Sequence, residues 1–476
     1  MKLSQLCGET FDPDPEILGL TADSRNVEKG FLFAALRGVN ADGSAFIAQA
    51  EKNGAAAVLG DADTRAHVPV VTDPIPRQRF AKIAARFYPK QPAFIAGITG
   101  TNGKTSTARF AAQLWSMLKA KSGSIGTLGA DSEGYSTPLR HTTPGPVELH
   151  KILDRMKDAG TTHLAMEVSS HGLSQHRADG VRFSIAAFTN LTQDHLDFHA
   201  NFSDYFSAKK RLFDDLLPED GIAVVNADGA GASEVCDLLK ERGIKTLTTG
   251  KAGHSLTIKS SRAVPNGLAV EVYADEKYYS ITLPLVGSFQ VENALLATGV
   301  AIASGFKSSD VIPLLEKLKG VPGRMEHVAD ANGASVYVDY AHTPAAVEMA
   351  IQSLRPHFHG QLVLILGAGG ERDQEKRSLM GKAALAADHV IVTDDNPRHE
   401  DPAAIRRQLI AGVPNAKEIA DRAEAIQFGV SQLKKGDVLL VAGKGHEEGQ
   451  IYGDEVRAFN DGDVVRESVN RFSRGG

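Results

Sequence analysis

The chain has 476 residues, 42% of them hydrophobic and 23% charged, with a net charge of −6. At ~150 residues per domain this suffices for about three domains, each burying its own core. The mild acidity excludes a global pull toward nucleic acid or an anionic membrane, so any polyanionic substrate must be held by local positive groups.

Two distant cysteines, Cys7 and Cys236, lack CxxC spacing and fit a reducing compartment without a disulfide framework. The N-terminus turns polar before a secretory apolar core could form, and no apolar run approaches ~20 residues. A cytoplasmic protein without a membrane span is expected.

Residues 1–88 mix short apolar runs (Gly30–Leu36, Ala55–Leu59) with helical stretches and end at the Pro-bracketed linker Tyr88–Pro92. The apolar run Ala93–Ile98 then leads into Thr99-Gly-Thr-Asn-Gly-Lys-Thr105 and a helix-compatible stretch, Thr107–Lys119. This describes a strand–loop–helix phosphate cradle. Glycines allow backbone N–H groups to face phosphate oxygens, Lys104 reaches the terminal phosphates, and the Thr105 hydroxyl suits Mg²⁺. The common pattern has glycine where Ile98 stands, so the loop is a variant.

Apolar runs Thr162–Val168, Ile185–Thr189 and Gly221–Asn226 alternate with helical patterns, the rhythm of a mostly parallel sheet covered on both faces. Polar residues ending these runs fall at the carboxyl edge, where open α/β sheets bind ligands. Glu167 ends one run and is placed to organise a cation beside the phosphate loop. Asp194-His-Leu-Asp-Phe-His199 packs metal-capable side chains after another run. Tyr205–Phe213 is a basic amphipathic helix, which by composition alone reads as a solvated face.

Lys319–Gly323 marks a second boundary. Beyond it, Ser335–Asp339, Gln361–Leu366, His389–Thr393 and Asp437–Val441 alternate with helical patterns as a second α/β domain. Gly367–Arg372 lacks the third glycine of a dinucleotide fingerprint, so NAD binding is set aside. Asp394-Asp-Asn-Pro-Arg398 places an arginine on a proline-stiffened loop suited to capturing a carboxylate, and Ala442–Glu447 is a second Gly-rich loop.

Together these segments, with Glu167–Leu173, Asn190–Asp197, Glu292–Ala297 and Val338–Pro344, resemble in order the Mur ligases, the ATP-dependent amide-forming enzymes of peptidoglycan precursor synthesis. The resemblance implies an α/β fold of three domains: 1–88 for the uridine nucleotide, a central P-loop-type, mostly parallel sheet domain at 89–322, and a Rossmann-like C-terminal domain at 323–476. It places ATP on Gly100, Thr101, Asn102, Gly103, Lys104, Thr105, Ser106, Asn293, Arg324 and Asp339. UDP-MurNAc-L-Ala-D-Glu would contact Ala22, Ser24, Val39, Asn40, Ala41, Thr142, Thr143, Ser169, Gln175 and Arg177.

By the same resemblance, the intact Asp395–Arg398 loop implies meso-diaminopimelate as the amino acid, on Arg372, Asp395, Asn396, Pro397, Arg398, Gly443 and Glu447. Lys104, Glu167, His195 and Lys209 would be catalytic. Mg²⁺ would be held by Thr105, Glu167, His195 and Lys209, the last as a carbamate, which reverses the composition-based reading of its helix. A monomer is implied. The alternatives are a lysine-adding, D-Ala-D-Ala-adding or folylpolyglutamate-forming ligase of the same fold, a P-loop nucleotide switch, or a non-catalytic nucleotide-sugar regulator.

Overall fold

The computed structural model describes residues 1–38, 42–194, 198–264, 267–371 and 373–474. Val39, Asn40, Ala41, His195 and Arg372 therefore lie outside the described residues. The chain divides into two compact units, Met1–Thr257 with Leu295–Val311, and Ile258–Ala294 with Ile312–Gly476. No helix among the described residues is long and apolar enough to cross a membrane.

The first unit opens with four parallel strands in sequential order: β1 (Gly19–Thr21), β2 (Phe31–Ala34), β3 (Ala57–Gly60) and β4 (Val70–Thr72). Helix α1 (Pro76–Phe87) buries Phe80, Ile83 and Ala84 in the core of this sheet. It also packs on α3 (Pro146–Asp158), whose Val147 joins the same core. The N-terminal sheet and the central sheet thus share one compact unit.

The central sheet starts at β5 (Phe94–Thr99), where Ile95–Thr99 are all buried, as expected for a parallel strand covered on both faces. Helix α2 (Lys104–Met117) follows and begins three residues earlier than its apolar pattern suggests, because Gly103 caps it in a left-handed conformation. The chain continues through β6 (Ser122–Gly126), α3, β7 (His163–Glu167), β8 (Ile185–Phe188), α4 (Phe202–Arg211), β9 (Ile222–Asn226) and β10 (Lys245–Gly250). The parallel order is β10-β9-β8-β5-β7-β6.

Strands β7 and β8 flank β5 on opposite sides. The strand order therefore reverses at β5, which is where an open parallel sheet forms a ligand crevice at its carboxyl edge, here between the ends of β5, β7 and β8. Helix α4 is capped by Asn201, carries Asp204 in its first turn and ends in Lys209, Lys210 and Arg211, which match the helix dipole.

In the second unit, β11 (Ala334–Asp339), β12 (Leu362–Leu366), β13 (His389–Val392) and β14 (Val438–Ala442) form a parallel sheet of order β11-β14-β12-β13. Glu326–Ala331 pairs antiparallel to β11. A short hairpin follows β14, made of β15 (Gly449–Tyr452) and β16 (Glu455–Ala458).

Candidate active site

The phosphate loop is pinned between neighbouring strand ends. Thr101 N donates to the Asn190 carbonyl at 2.8 Å, and Asn102 N to Asn190 Oδ1 at 3.0 Å. Gly100 has a φ of +140°, and a Cβ there would lie 1.9 Å from Thr189 Oγ1, so only glycine lets the loop pass this close to β8. Lys104, Thr105 and Ser106 form the first turn of α2, where the N–H groups of a helix N-terminus and the helix dipole favour an anion. Lys104 Nζ donates to the carbonyls of Gly100 (2.9 Å) and Thr101 (2.7 Å), folding back on the loop.

Glu167, 2% exposed, accepts from Thr105 Oγ1 at 2.9 Å and from Thr127 N at 2.9 Å. The Thr105 hydroxyl gives its proton to Glu167, which leaves its lone pairs to face a cation. Gly126 makes room for this: a Cβ there would fall 2.0 Å from Glu167 Oε1. Thr127 and Gly126 were not among the expected site residues. Their signal was the Gly-Thr pair at a strand end.

From the same carboxylate the site runs on toward the residues expected to hold the muramoyl-dipeptide. Thr127 Oγ1 lies 3.1 Å from Thr142 Oγ1, and Thr143 Oγ1 donates to the Glu167 carbonyl at 3.1 Å. Ser169 N donates to Thr143 Oγ1 at 3.0 Å. Arg177 donates to the Thr143 carbonyl (2.8 Å) and to Gln175 Oε1 (2.8 Å). Thr142, Thr143, Ser169, Gln175 and Arg177 are thus one network with Glu167. Ala22 and Ser24 sit at the end of β1, where Asn53 Nδ2 holds the Ser24 carbonyl at 2.9 Å.

Lys209 corrects the composition-based reading: it is 1% exposed, not on a solvated face. Its Nζ donates to the Gly100 carbonyl at 2.8 Å and lies 4.3 Å from the centre of the Tyr205 ring. Burial, and then the charge of Lys104, hold this amine well below the ordinary lysine range, with Asp194 opposing. Tyr205, one turn earlier on α4, places its hydroxyl 2.9 Å from Thr101 Oγ1 and so ties α4 to the loop.

A node that sequence reasoning missed anchors the helix further on. Arg211 and His176 meet Asp179 Oδ2 at 2.9 and 2.8 Å, and Gln78 Nε2 from α1 donates to it at 3.1 Å. His199 packs its ring against Tyr205. Among the described residues no group of three or more His, Cys, Asp or Glu is placed to hold a metal.

Asn293, Arg324 and Asp339 converge in the second unit. Asn293 Nδ2 reaches Gln290 Oε1 (3.3 Å), and Gln290 Nε2 reaches the Arg324 carbonyl (3.3 Å). Asp339 accepts from Met325 N (2.6 Å) and Ala341 N (2.8 Å); burial raises its pKa while Arg324 pulls it down. The Arg324 guanidinium stacks 4.5 Å from the centre of the Tyr340 ring.

The Asp394–Arg398 loop is braced by the β15–β16 hairpin. Gln450 Nε2 donates to the Asp395 carbonyl (2.7 Å), Ile451 N to Asn396 Oδ1 (3.0 Å) and the Tyr452 hydroxyl to Asp394 Oδ2 (3.1 Å). Arg398 adopts a φ of +53°, rare for a residue with a Cβ. It is held there by its N–H to the Ile451 carbonyl (3.0 Å) and by Gly453 N on its own carbonyl (2.7 Å). Pro397 is buried beneath it. Arg398 Nη1 donates to the Gly370 carbonyl at 2.6 Å, and the guanidinium has no carboxylate partner among the described residues. Gly443 abuts the Asp395 carboxylate, and Asn396 Nδ2 donates to Glu447 Oε2 at 2.8 Å. Asp395, Asn396, Pro397, Arg398, Gly443 and Glu447 therefore share one locality.

The chain matches the Mur ligase family catalytic domain over residues 16–88, the Mur ligase middle domain over 98–301 and the Mur ligase glutamate ligase domain over 323–445. The chain belongs to the Mur ligase family. Curated relatives named UDP-N-acetylmuramoyl-L-alanyl-D-glutamate–2,6-diaminopimelate ligase are similar along nearly the whole chain. The protein from Bradyrhizobium diazoefficiens is 46% identical, covering 98% of each chain. That from Brucella melitensis is 47% identical, over 94% of this chain and 92% of its own.

A solved structure of an enzyme with the same name superposes with a TM-score of 0.74 at 33% identity, covering 99% of each chain. The MurF ligase from Thermotoga maritima, solved in complex with ADP, shares the fold at 21% identity, with a TM-score of 0.62 over 96% of this chain and 98% of its own. The match to a ligase family disfavours the nucleotide-switch and regulator readings.

Proposed function

We propose that the chain is an ATP-dependent acid–amino-acid ligase. It adds meso-2,6-diaminopimelate to the γ-carboxylate of UDP-MurNAc-L-Ala-D-Glu in cytoplasmic peptidoglycan precursor synthesis, acting as a monomer. The three segments 1–88, 89–322 and 323–476 would carry the uridine nucleotide, ATP and amino-acid roles. One observation carries the amino-acid choice: the braced Arg398, with no carboxylate partner among the described residues, two residues from an Asn396 bonded to Glu447.

In the first step a carboxylate oxygen of the D-glutamyl side chain bonds to the γ-phosphorus and ADP leaves, giving an acyl phosphate. The amine of the second substrate then bonds to the acyl carbon, phosphate departs with the former carboxylate oxygen, and the amine loses a proton. The first step brings two anions together, so electrostatic stabilisation is the dominant requirement. Lys104 and the N-terminus of α2 meet the β- and γ-phosphates, and Thr142, Thr143, Ser169 and Arg177 orient the dipeptide end.

The Thr105 hydroxyl against the Glu167 carboxylate suits Mg²⁺, and the buried Lys209 amine suits a carbamate. Thr105 would hold one cation with Glu167 behind it, while Lys209 with His195 would hold a second. A neutral amine is the form that combines with CO₂, and burial shifts Lys209 toward that form. These groups would supply charge neutralisation between carboxylate and triphosphate.

Phosphate release tests the reading. It should require ATP, the UDP-linked dipeptide and meso-diaminopimelate together, with L-lysine a poor substitute. Lysine lacks the distal carboxylate, so the half-buried Arg398 guanidinium is left unpaired, and a site built to bond that group discriminates against the analogue lacking it by up to ~10⁴-fold. Equal turnover with lysine would overturn the diaminopimelate assignment, and turnover without acceptors would favour a nucleotide switch.

A further inference from the structure

Lys444, in the loop after β14, is completely buried and hydrogen-bonded to two side chains. A charge in that position must be paired and hydrogen-bonded to be tolerated. Its Nζ donates to Glu447 Oε2 at 2.9 Å and to Asn396 Oδ1 at 3.0 Å. Asn396 Oδ1 also accepts Ile451 N, so two donors fix the oxygen on that side and turn the Asn396 amide nitrogen toward Glu447.

Two consequences follow for the surface above. First, Glu447 Oε2 is occupied by Lys444 and Asn396, whereas no donor among the described residues reaches Oε1, and the side chain is 32% exposed. One oxygen is anchored from beneath and the other is offered. Second, Lys444 sets the local charge. Asp395 and Glu447 are offset by Lys444 and Arg398, while Arg422 and Asp461 pair with each other at 2.7 Å. Among the described residues the locality offers a carboxylate acceptor, Glu447, and a guanidinium donor, Arg398, which together are complementary to a zwitterionic amino-acid end.

We propose that Lys444 is a positioning residue for the amino-acid substrate. It acts through Asn396 and Glu447 so that the offered carboxylate oxygen receives an ammonium group while Arg398 receives a carboxylate. This rests on the ligase reading above, in which Asn396 and Glu447 contact the diamino acid.

The test compares the full chain with Lys444→Met and Lys444→Arg by phosphate release, varying meso-diaminopimelate, ATP and the UDP-linked dipeptide in turn. Lys444→Met should raise the diaminopimelate KM at least tenfold and leave the other two KM values within twofold, and Lys444→Arg should recover part of the loss. An unchanged diaminopimelate KM, or three KM values rising together with a fall in Tm, would overturn the positioning role. Should the Met variant fail to fold, Lys444→Arg is combined with Glu447→Gln. The proposal expects the arginine change to add nothing to the diaminopimelate KM once Glu447 is neutral, and simple additivity would overturn it. A wild-type protein inactive with diaminopimelate would sink the ligase reading itself, whereas an active one with an insensitive Lys444→Met variant sinks only the role of Lys444.

Discussion

The amines of Lys209 and Lys104 converge on one acceptor, the Gly100 carbonyl oxygen, at 2.8 and 2.9 Å. Two unit charges about 4 Å apart repel by roughly 4 kcal/mol at an effective dielectric of about 20. Burial and this repulsion both favour the neutral form of the Lys209 amine, in keeping with its lowered pKa. Lys209→Ala should lower kcat by about 10²–10³-fold, the scale of one electrostatic catalytic contact. Added short-chain carboxylic acids should restore part of it by replacing the carbamate anion. Wild-type turnover in this variant would remove Lys209 from the mechanism.

Gly126 is predicted to be intolerant for a reason confined to the site. An added methyl would occupy the position of Glu167 Oε1 and displace the carboxylate that receives the Thr105 proton. Gly126→Ala should lose at least tenfold in kcat with Tm lowered by only a few degrees, measured by phosphate release and thermal unfolding. Equal activity would mean that the Glu167–Thr105 contact is dispensable.

Arg398→Ala should raise the diaminopimelate KM by about 10²-fold, the cost of removing one partner from a hydrogen-bonded charge pair. The ATP KM should stay within twofold, because the variant leaves the phosphate loop untouched. Steady-state kinetics with each substrate varied would show this, and parallel changes in both constants would reject the carboxylate clamp.

His150 links pH to stability. It is fully buried on α3, neither ring nitrogen has a hydrogen-bond partner among the described residues, and burial, with Arg182 adding, pushes its pKa down to about 4. Above pH ~6.5 the imidazole is neutral in both folded and unfolded chains and contributes no pH dependence. As pH falls from there toward 4, the unfolded chain takes up the proton and the folded chain does not, so stability drops by up to ~3 kcal/mol and then levels off. His150→Leu, close in volume, should flatten this limb and make the variant the more stable form at pH 5. Parallel Tm–pH curves for the two proteins would refute it. His446, likewise lowered to about 4 by burial and Arg324, acts with the same sign.

Local chemistry alone marked the phosphate loop, the strand ends and the Asp394–Arg398 loop, because each depends on residues adjacent in the chain: glycines before a helix, a carboxylate closing an apolar run, an arginine after proline. The parallel sheets were legible for the same reason, since buried strands such as β5 and β14 read as unbroken apolar runs. What lay beyond the sequence were pairings between distant segments. Lys209 meets Gly100 across 109 positions, Asp179 gathers Arg211, His176 and Gln78, and the hairpin at 449–458 braces a loop some fifty residues earlier. Lys209 shows why: its neighbours in sequence make it look like a surface cation, whereas burial against Tyr205 and Lys104 decides whether it carries charge. Protonation state depends on solvent exclusion and through-space charge, and those quantities exist only once the chain has folded.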